Sequence, residues 1–84
     1  MPLNNDYLWI EDPGHAWLRV KIEEVKESKA DISSYSYISR DTGMAYLEED
    51  CDAPAFLRAV GKMQMKFPCQ HQQNTFIRSL ESFS

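Results

Sequence analysis

Two turn signals between apolar runs constrain the fold of this chain more than any other feature. The first, Pro13-Gly14, separates an apolar run at residues 7–10 from another at residues 16–22. Proline fixes φ and glycine reaches left-handed φ values, so the two runs are predicted to form a β-hairpin. Apolar and polar side chains alternate along the second run with the two-residue period of a strand, which places Trp17 on its outward, polar face.

A second hairpin is predicted around residues 41–43, Asp-Thr-Gly, between runs at residues 34–38 and 44–48. A three-residue loop of this composition is typical of a type I turn that ends in a glycine bulge. The resulting register sets Ile38 opposite Tyr46 and Tyr37 opposite Leu47. A slip of one residue would exchange the two faces of the strand, so the register decides which tyrosines are exposed.

The second half of the chain changes to helical spacing. Apolar residues fall at intervals of four, three and four, at Phe56, Val60, Met63 and Phe67. This stripe predicts a helix over residues 53–66 that Pro68 ends. Charged residues 23–29 suit a short exposed helix or turn, and residues 75–80 suit a last helical turn.

Length and composition indicate one small domain spanning residues 1–84, with residues 68–84 as a partly mobile tail. The chain has 84 residues, of which 43% are hydrophobic and 26% charged. The predicted fold class is α+β: a four-stranded antiparallel meander with one main helix on one face and a short C-terminal helical turn. A domain of this size buries roughly 60–65% of its unfolded surface, which argues against a deep enzymatic cavity.

The charge is unevenly distributed. The net charge is −4, but residues 1–52 hold twelve acidic and five basic side chains, whereas residues 53–84 hold one and four. An acidic balance argues against nucleic-acid binding. The chain shows neither a signal peptide nor a long apolar run, so we expect a cytoplasmic protein without membrane contact. In that reducing compartment Cys51 and Cys69 are expected to be free thiols rather than a disulfide.

Four carboxylates surround one cysteine where the fourth strand meets the helix, at Glu48, Glu49, Asp50, Cys51 and Asp52. We interpret this segment as a structural joint, in which Asp52 caps the first amides of the helix and Cys51 is a small buried residue. Successive side chains diverge, which disfavours a metal site. Neither a paired CxxC nor a helical HExxH motif occurs, so no metal, cofactor or catalytic residue is expected.

Two alternatives remain open from the residues. Arg58, Lys62 and Lys66 lie four residues apart and predict a basic helix face, which is either simply solvated or a nucleic-acid-binding surface. A small metal-dependent or thiol enzyme would use His15 with the acidic joint or Cys51. The sequence Cys69-Gln-His71 supplies two metal ligands without an evident second pair.

Aromatic residues are numerous for one thin sheet, at Trp9, Trp17, Tyr35, Tyr37 and Tyr46. One helix cannot cover them all, so some are predicted to face outward, where aromatics favour protein recognition. The preferred hypothesis is a non-enzymatic protein-binding module whose contact residues are Glu48, Glu49, Asp50, Trp17 and Tyr35. A nucleic-acid mimic is one version of it, and a homodimer paired through sheet edges is a further hypothesis.

Three segments carry a family resemblance: PGHAWLRV at residues 13–20, ISSYSYI at residues 32–38 and AYLEEDCDA at residues 45–53. They resemble small uncharacterised proteins carried by bacteriophages and bacterial mobile elements, over residues 13–57. The resemblance implies a bacterial cytoplasm and an accessory protein that binds, and thereby inhibits, a host protein or complex. It assigns no functional residue.

Overall fold

The computed structural model describes residues 7–73 and 75–83. The described residues form two α-helices, one 3-10 turn and six strands, which confirms the predicted α+β class. In chain order the elements are β1 Leu8–Glu11, β2 Ala16–Lys21, α1 Ile22–Ser28, β3 Tyr37–Ser39, β4 Met44–Glu48, α2 Asp52–Ala59, β5 Cys69–His71, the 3-10 turn Ile77–Ser79 and β6 Glu81–Ser82.

The strands form one mixed sheet in the order β5-β1-β2-β4-β3-β6. The predicted four-stranded antiparallel meander is therefore wrong in two respects. Strand β2 pairs with β4 instead of β3, because α1 and residues 29–36 form a connection long enough to place β3 outside β4. Strands β5 and β6 add two edges, and their few polar residues lack the apolar alternation by which strands are recognised.

Both predicted hairpins are present, but the second has a different register. In β3 and β4, Tyr37 pairs with Tyr46 and Ile38 pairs with Ala45. The loop has four residues, 40–43, and the Gly43 amide donates to the Ser39 carbonyl at 2.9 Å. Gly43 has φ +73, the conformation for which its glycine was predicted. This shift of one residue places both tyrosines on the same face of the sheet.

Each face of the sheet has its own core. On the helical face, α1 and α2 pack over the strands, and the buried residues include Leu18, Val20, Val25, Leu47 and Phe56. On the opposite face, called here the turn face, the 3-10 turn covers a smaller cluster of Ile10, Trp17, Tyr46 and Ile77. The C-terminal segment therefore covers the apolar residues of the turn face, and the two helices cover those of the helical face.

Helix α2 ends at Ala59, so the predicted helix over residues 53–66 is wrong beyond that residue. Gly61 takes φ +73, its amide donates to the Arg58 carbonyl at 3.2 Å, and the Lys62 amide donates to the Leu57 carbonyl at 2.8 Å. This pair of bonds is a Schellman motif, which stops a helix before any proline is needed. Phe67 still reaches the core, where its ring lies 5.1 Å from that of Tyr7.

The C-terminal helical turn predicted over residues 75–80 is the single 3-10 turn at Ile77–Ser79. Ile77 is fully buried against the turn face, whereas Phe76 is 48% exposed and its ring meets Tyr46 edge-on at 5.5 Å. Partial mobility of residues 68–84 stays a prediction. In the part of the chain that the structure describes, no helix has the length and apolarity needed to cross a membrane.

Candidate functional site

A groove of about 420 Å³ opens where Trp17 of β2 pairs with Glu48 of β4. It contains four of the five predicted binding residues, namely Trp17, Tyr35, Glu48 and Asp50. We call it the acidic-aromatic groove, and it is lined by His15, Trp17, Tyr35, Tyr37, Glu48, Asp50 and Cys51. The fifth predicted residue, Glu49, lies next to this lining in the sequence.

Trp17 forms the floor of the groove rather than an outward contact. Its exposure is 2%, so the predicted outward placement is wrong. The cause is the C-terminal segment: Ile77 packs in the same cluster, and the Arg78 guanidinium carbon lies 5.1 Å from the centroid of the indole ring. The His15 ring lies 5.8 Å from the same indole. Trp17 therefore shapes the groove while offering almost no surface to a partner.

Tyr35 is the exposed aromatic residue of the groove, with 71% of its surface accessible, as predicted. A buried carboxylate holds the turn that presents it. Asp52 accepts hydrogen bonds from the Ser33 amide at 3.1 Å, the Ser33 hydroxyl at 2.7 Å and the Ser36 hydroxyl at 2.5 Å. The Ser33 hydroxyl oxygen in turn accepts the Tyr35 amide at 3.1 Å. The position of Tyr35 therefore depends on Asp52.

This role of Asp52 corrects the predicted helix cap. The residue before α2 is Cys51, and no side-chain cap bond is present there. Instead, Glu48 Oε1 accepts the Cys51 amide at 2.9 Å. The serine hydroxyls lie 16 and 19 residues from Asp52 in the sequence, so they approach it only in the folded chain. There they occupy the carboxylate oxygens that were predicted to accept the first amides of the helix. The hydroxyl-rich run Ser33 to Ser36 was the available signal, but it did not identify its partner.

The acidic residues beside the groove repel one another. Burial raises the pKa of the Glu49 carboxyl, and the neighbouring charges of Asp50, Glu48 and Glu11 raise it further. Such a shift means that the negative form of Glu49 is disfavoured where it stands. A cation placed against this edge would relieve that repulsion, so the surface is electrostatically suited to a basic group.

Cys51 is exposed, so the prediction that it is a buried apolar residue is wrong. It shares the groove with His15, which the thiol-enzyme hypothesis would use as a base. Among the described residues no hydrogen bond links the Cys51 sulfur to His15, and activation of a thiol by a base needs such a contact. The enzyme alternative therefore stays a prediction without a supporting geometry.

The predicted basic helix face is not formed, because α2 ends before two of its three members. Arg58 lies on α2, but Lys62 follows Gly61, and its ammonium lies 4.8 Å from the centroid of the Tyr7 ring. Lys66 belongs to the non-helical segment that leads to β5. The nucleic-acid alternative thus loses the regular spacing on which it depended.

Asp12 is a residue of this region that the sequence interpretation missed. Its side chain is 3% exposed and accepts the Gly14 and His15 amides, each at 2.9 Å, and Arg78 Nη1 at 2.7 Å. The Arg78 hydrogen bond is the largest of the effects that lower the pKa of Asp12 to about 2. Asp12 therefore holds, through hydrogen bonds, the His15 backbone and the Arg78 guanidinium, the two residues that lie against the Trp17 ring. The sequence Asp-Pro-Gly signalled the turn, but nothing local pointed to Arg78.

Comparisons with protein-family models, with curated proteins and with solved structures each found no match to this chain. The resemblance to phage and mobile-element proteins stays a prediction. What the groove does must accordingly be inferred from its own residues.

Proposed function

We propose that the protein is a non-enzymatic accessory protein that binds a host protein through the acidic-aromatic groove and the adjoining Glu49. The observation that carries this proposal is the placement of Tyr35, 71% exposed, at a groove lined by Glu48 and Asp50. The hydrogen bonds to Ser33 and Asp52 hold the backbone of the turn that carries the ring, so less backbone entropy is lost when a partner covers it.

The chemistry of the groove favours a partner segment that carries lysine or arginine. Carboxylates attract such side chains and speed their encounter, while an aromatic ring adds contact area and a cation-π interaction. Burial is the main cause of the raised pKa of Glu49, and the charges of Asp50, Glu48 and Glu11 add to it. A partner cation would offset the part that comes from these charges, which supports the same choice. Of the predicted contact residues, we propose that Tyr35, Glu48, Glu49 and Asp50 contact the partner. The buried Trp17 forms the floor of the groove beneath them.

The proposed setting follows from the resemblance to phage and mobile-element proteins. It is the bacterial cytoplasm, and the proposed effect is inhibition of a host protein or complex by occupation of its surface. Occupation needs no catalytic group, which suits an 84-residue chain. Self-association through sheet edges is the competing proposal. A concentration series in analytical sedimentation tests it, because a homodimer would show a mass that rises with protein concentration.

The test is affinity capture from a bacterial lysate with mass spectrometry. The native protein is compared with a groove variant, Glu48→Gln with Glu49→Gln and Asp50→Asn, and with a matched control, Glu27→Gln with Asp31→Asn and Asp41→Asn. Both variants change the net charge by the same amount, and all three control residues are exposed. Glutamine at position 48 keeps an oxygen that can accept the Cys51 amide, so the start of α2 is preserved.

We expect the native protein and the control to recover the same host protein, and the groove variant to recover roughly tenfold less, since each exposed ion pair contributes about 0.2–1 kcal/mol. Tyr35→Ala should lower recovery as well. Equal recovery by all forms, or recovery of nothing by the native protein, would contradict the proposal. The folded state of each variant is checked by its circular dichroism spectrum.

A further inference from the structure

A parallel strand pair brings Glu11 beside Cys69 and His71, which lie near the other end of the chain; all three side chains are of types that can bind a metal ion. Strand β5 lies parallel to β1, with Glu11 paired to His71 and Trp9 paired to Cys69. Side chains two residues apart on a strand share a face, so Cys69 and His71 project on the same side. Glu11 stands directly beside His71 on that side. The sequence showed only the pair Cys69-Gln-His71, because its third member comes from the other end of the chain.

The three side chains already converge. His71 Nδ1 lies 2.7 Å from Glu11 Oε1, and one ligand atom from each of Glu11, Cys69 and His71 lies within 4.8 Å of the others. Glu11 and His71 also line a pocket of about 510 Å³, and their side chains are 40% and 78% exposed. An ion and its water can therefore reach the cluster from solvent without any rearrangement of the core.

We propose that Glu11, Cys69 and His71 form a zinc site that ties the edge strand β5 to β1. A thiolate, an imidazole and a carboxylate are the three ligand types that Zn²⁺ takes in proteins. Calcium and magnesium take oxygen ligands, so sulfur and nitrogen exclude them as the preferred occupants. Three protein ligands leave the fourth tetrahedral position to water, as in open zinc sites.

Only a small local change is needed to admit the ion. Bonds of about 2.0–2.3 Å to a tetrahedral zinc separate its ligand atoms by about 3.3–3.8 Å. The His71 nitrogen and the Glu11 oxygen, now 2.7 Å apart, must therefore separate by about 0.6 Å. The Cys69 sulfur, which lies within 4.8 Å of both, must approach them by about 1 Å at most. The Cys69 thiol releases one proton to solvent as its sulfur becomes the ligand. Zinc replaces the direct Glu11 to His71 contact with two bonds to the metal.

The site differs from the acidic joint that the sequence interpretation rejected as a metal cluster. In the joint, adjacent residues of one segment diverge, whereas here the ligands come from two strands whose register aligns them. None of its three residues lines the acidic-aromatic groove, and the link between the two sites is the effect of the Glu11 charge on Glu49. Failure of one proposal would leave the other standing.

The test is a titration of the untagged, reduced protein with Co²⁺ and then Zn²⁺. We expect one equivalent of Co²⁺ to produce visible and thiolate-to-metal absorption bands, which an equivalent of Zn²⁺ then removes. Loss of a residue that only hydrogen-bonds to a metal ligand typically weakens metal binding about 10–100-fold. Loss of a direct ligand in Cys69→Ser, His71→Ala or Glu11→Gln should therefore weaken binding at least about tenfold. The matched control, Cys51→Ser with His15→Gln, should bind like the native protein.

A thiol-reactive reagent supplies a second readout with an internal control. Cys51 and Cys69 are both exposed, so both should react in the metal-free protein. One equivalent of Zn²⁺ should protect one thiol, and protection should disappear in Cys69→Ser but persist in Cys51→Ser. Absence of a 1:1 complex would overturn the proposal, as would unchanged affinity in Cys69→Ser or a loss of binding in the control.

Discussion

Buried carboxylates determine where two loops of this protein lie. Asp52 is 2% exposed and receives hydrogen bonds from Ser33 and Ser36. Asp12 is also buried and receives hydrogen bonds from its own turn and from Arg78. A buried charge is tolerated only where hydrogen bonds compensate its lost hydration. Each carboxylate therefore makes one specific loop conformation favourable.

Replacing Asp52 should destabilise the fold strongly. Asp52→Ala removes the acceptor of three hydrogen bonds and leaves the buried Ser36 hydroxyl without it, so we expect a loss of about 3 kcal/mol in the free energy of unfolding. Asp52→Asn keeps one acceptor oxygen and should lose less. Urea denaturation measures both. A stability within about 0.5 kcal/mol of the native protein for Asp52→Ala would show that the network does not hold the turn.

Asp12 should give a pH-dependent contribution to stability. The Arg78 hydrogen bond lowers the pKa of Asp12 from 3.8 to about 2 in the folded protein. A lowered pKa contributes stability that is complete above the unfolded value and is lost as pH falls toward the folded one. Asp12→Asn should therefore melt below the native protein at pH 7, and the difference should shrink between pH 3.8 and about 2.

Thermal melts at several pH values test this prediction. Asp41→Asn is the matched control, because Asp41 is an exposed aspartate in the other hairpin loop. Its melting temperature should follow that of the native protein throughout. A gap between Asp12→Asn and the native protein that is the same at pH 7 and pH 2 would contradict the role of Arg78.

At the scale of elements, the outcome of sequence interpretation depended on whether the deciding contact was local. Both hairpins were predictable because their turn residues and alternating strands lie together in the sequence. The end of α2 also had a local signal, Gly61, but the apolar spacing that continues to Phe67 obscured it. Phe67 packs against the core from a non-helical segment. Apolar spacing alone therefore could not distinguish a helix that continues to residue 66 from one that ends at Ala59.

Gly61 should be needed at the end of α2. With φ +73, an alanine there pays the strain of a left-handed conformation, so Gly61→Ala should lower the free energy of unfolding by about 1 kcal/mol. Gly14→Ala is the control. Gly14 does not have the positive φ that was predicted for the first turn, and an added Cβ there would meet its nearest atom at an ordinary 3.6 Å. An unchanged or higher stability of Gly61→Ala would mean that the helix continues past this residue.

The 3-10 turn should contribute through Ile77 rather than through Phe76. Ile77 is fully buried beside Trp17, so Ile77→Ala should cost about 2–4 kcal/mol and shift tryptophan fluorescence to longer wavelength. Phe76→Ala, at a 48% exposed position, should cost less than the buried change. Denaturation followed by fluorescence compares them. Equal effects of the two changes would show that the turn does not cover Trp17 as described.

At the scale of the whole molecule, the sequence left the strand order open. The fold class follows from periodicity, but the order β5-β1-β2-β4-β3-β6 depends on pairing between distant segments. The same long-range pairing buries Trp17 under Ile77 and Arg78, which reversed its predicted exposure. Tyr35, Glu49 and Asp50 are exposed as predicted, because they lie in turns rather than within strands. The turn that carries Tyr35 is nevertheless held by the distant Asp52, which the sequence did not reveal.

The central claim is that the groove and its acidic edge bind a basic surface of a host protein. Parallel capture from one bacterial lysate by the native protein, the Glu48, Glu49 and Asp50 groove variant, and the matched charge control tests it most directly. We predict one host protein recovered equally by native and control proteins and roughly tenfold less by the groove variant. Equal recovery by all three, or no partner recovered by the native protein, would contradict the claim.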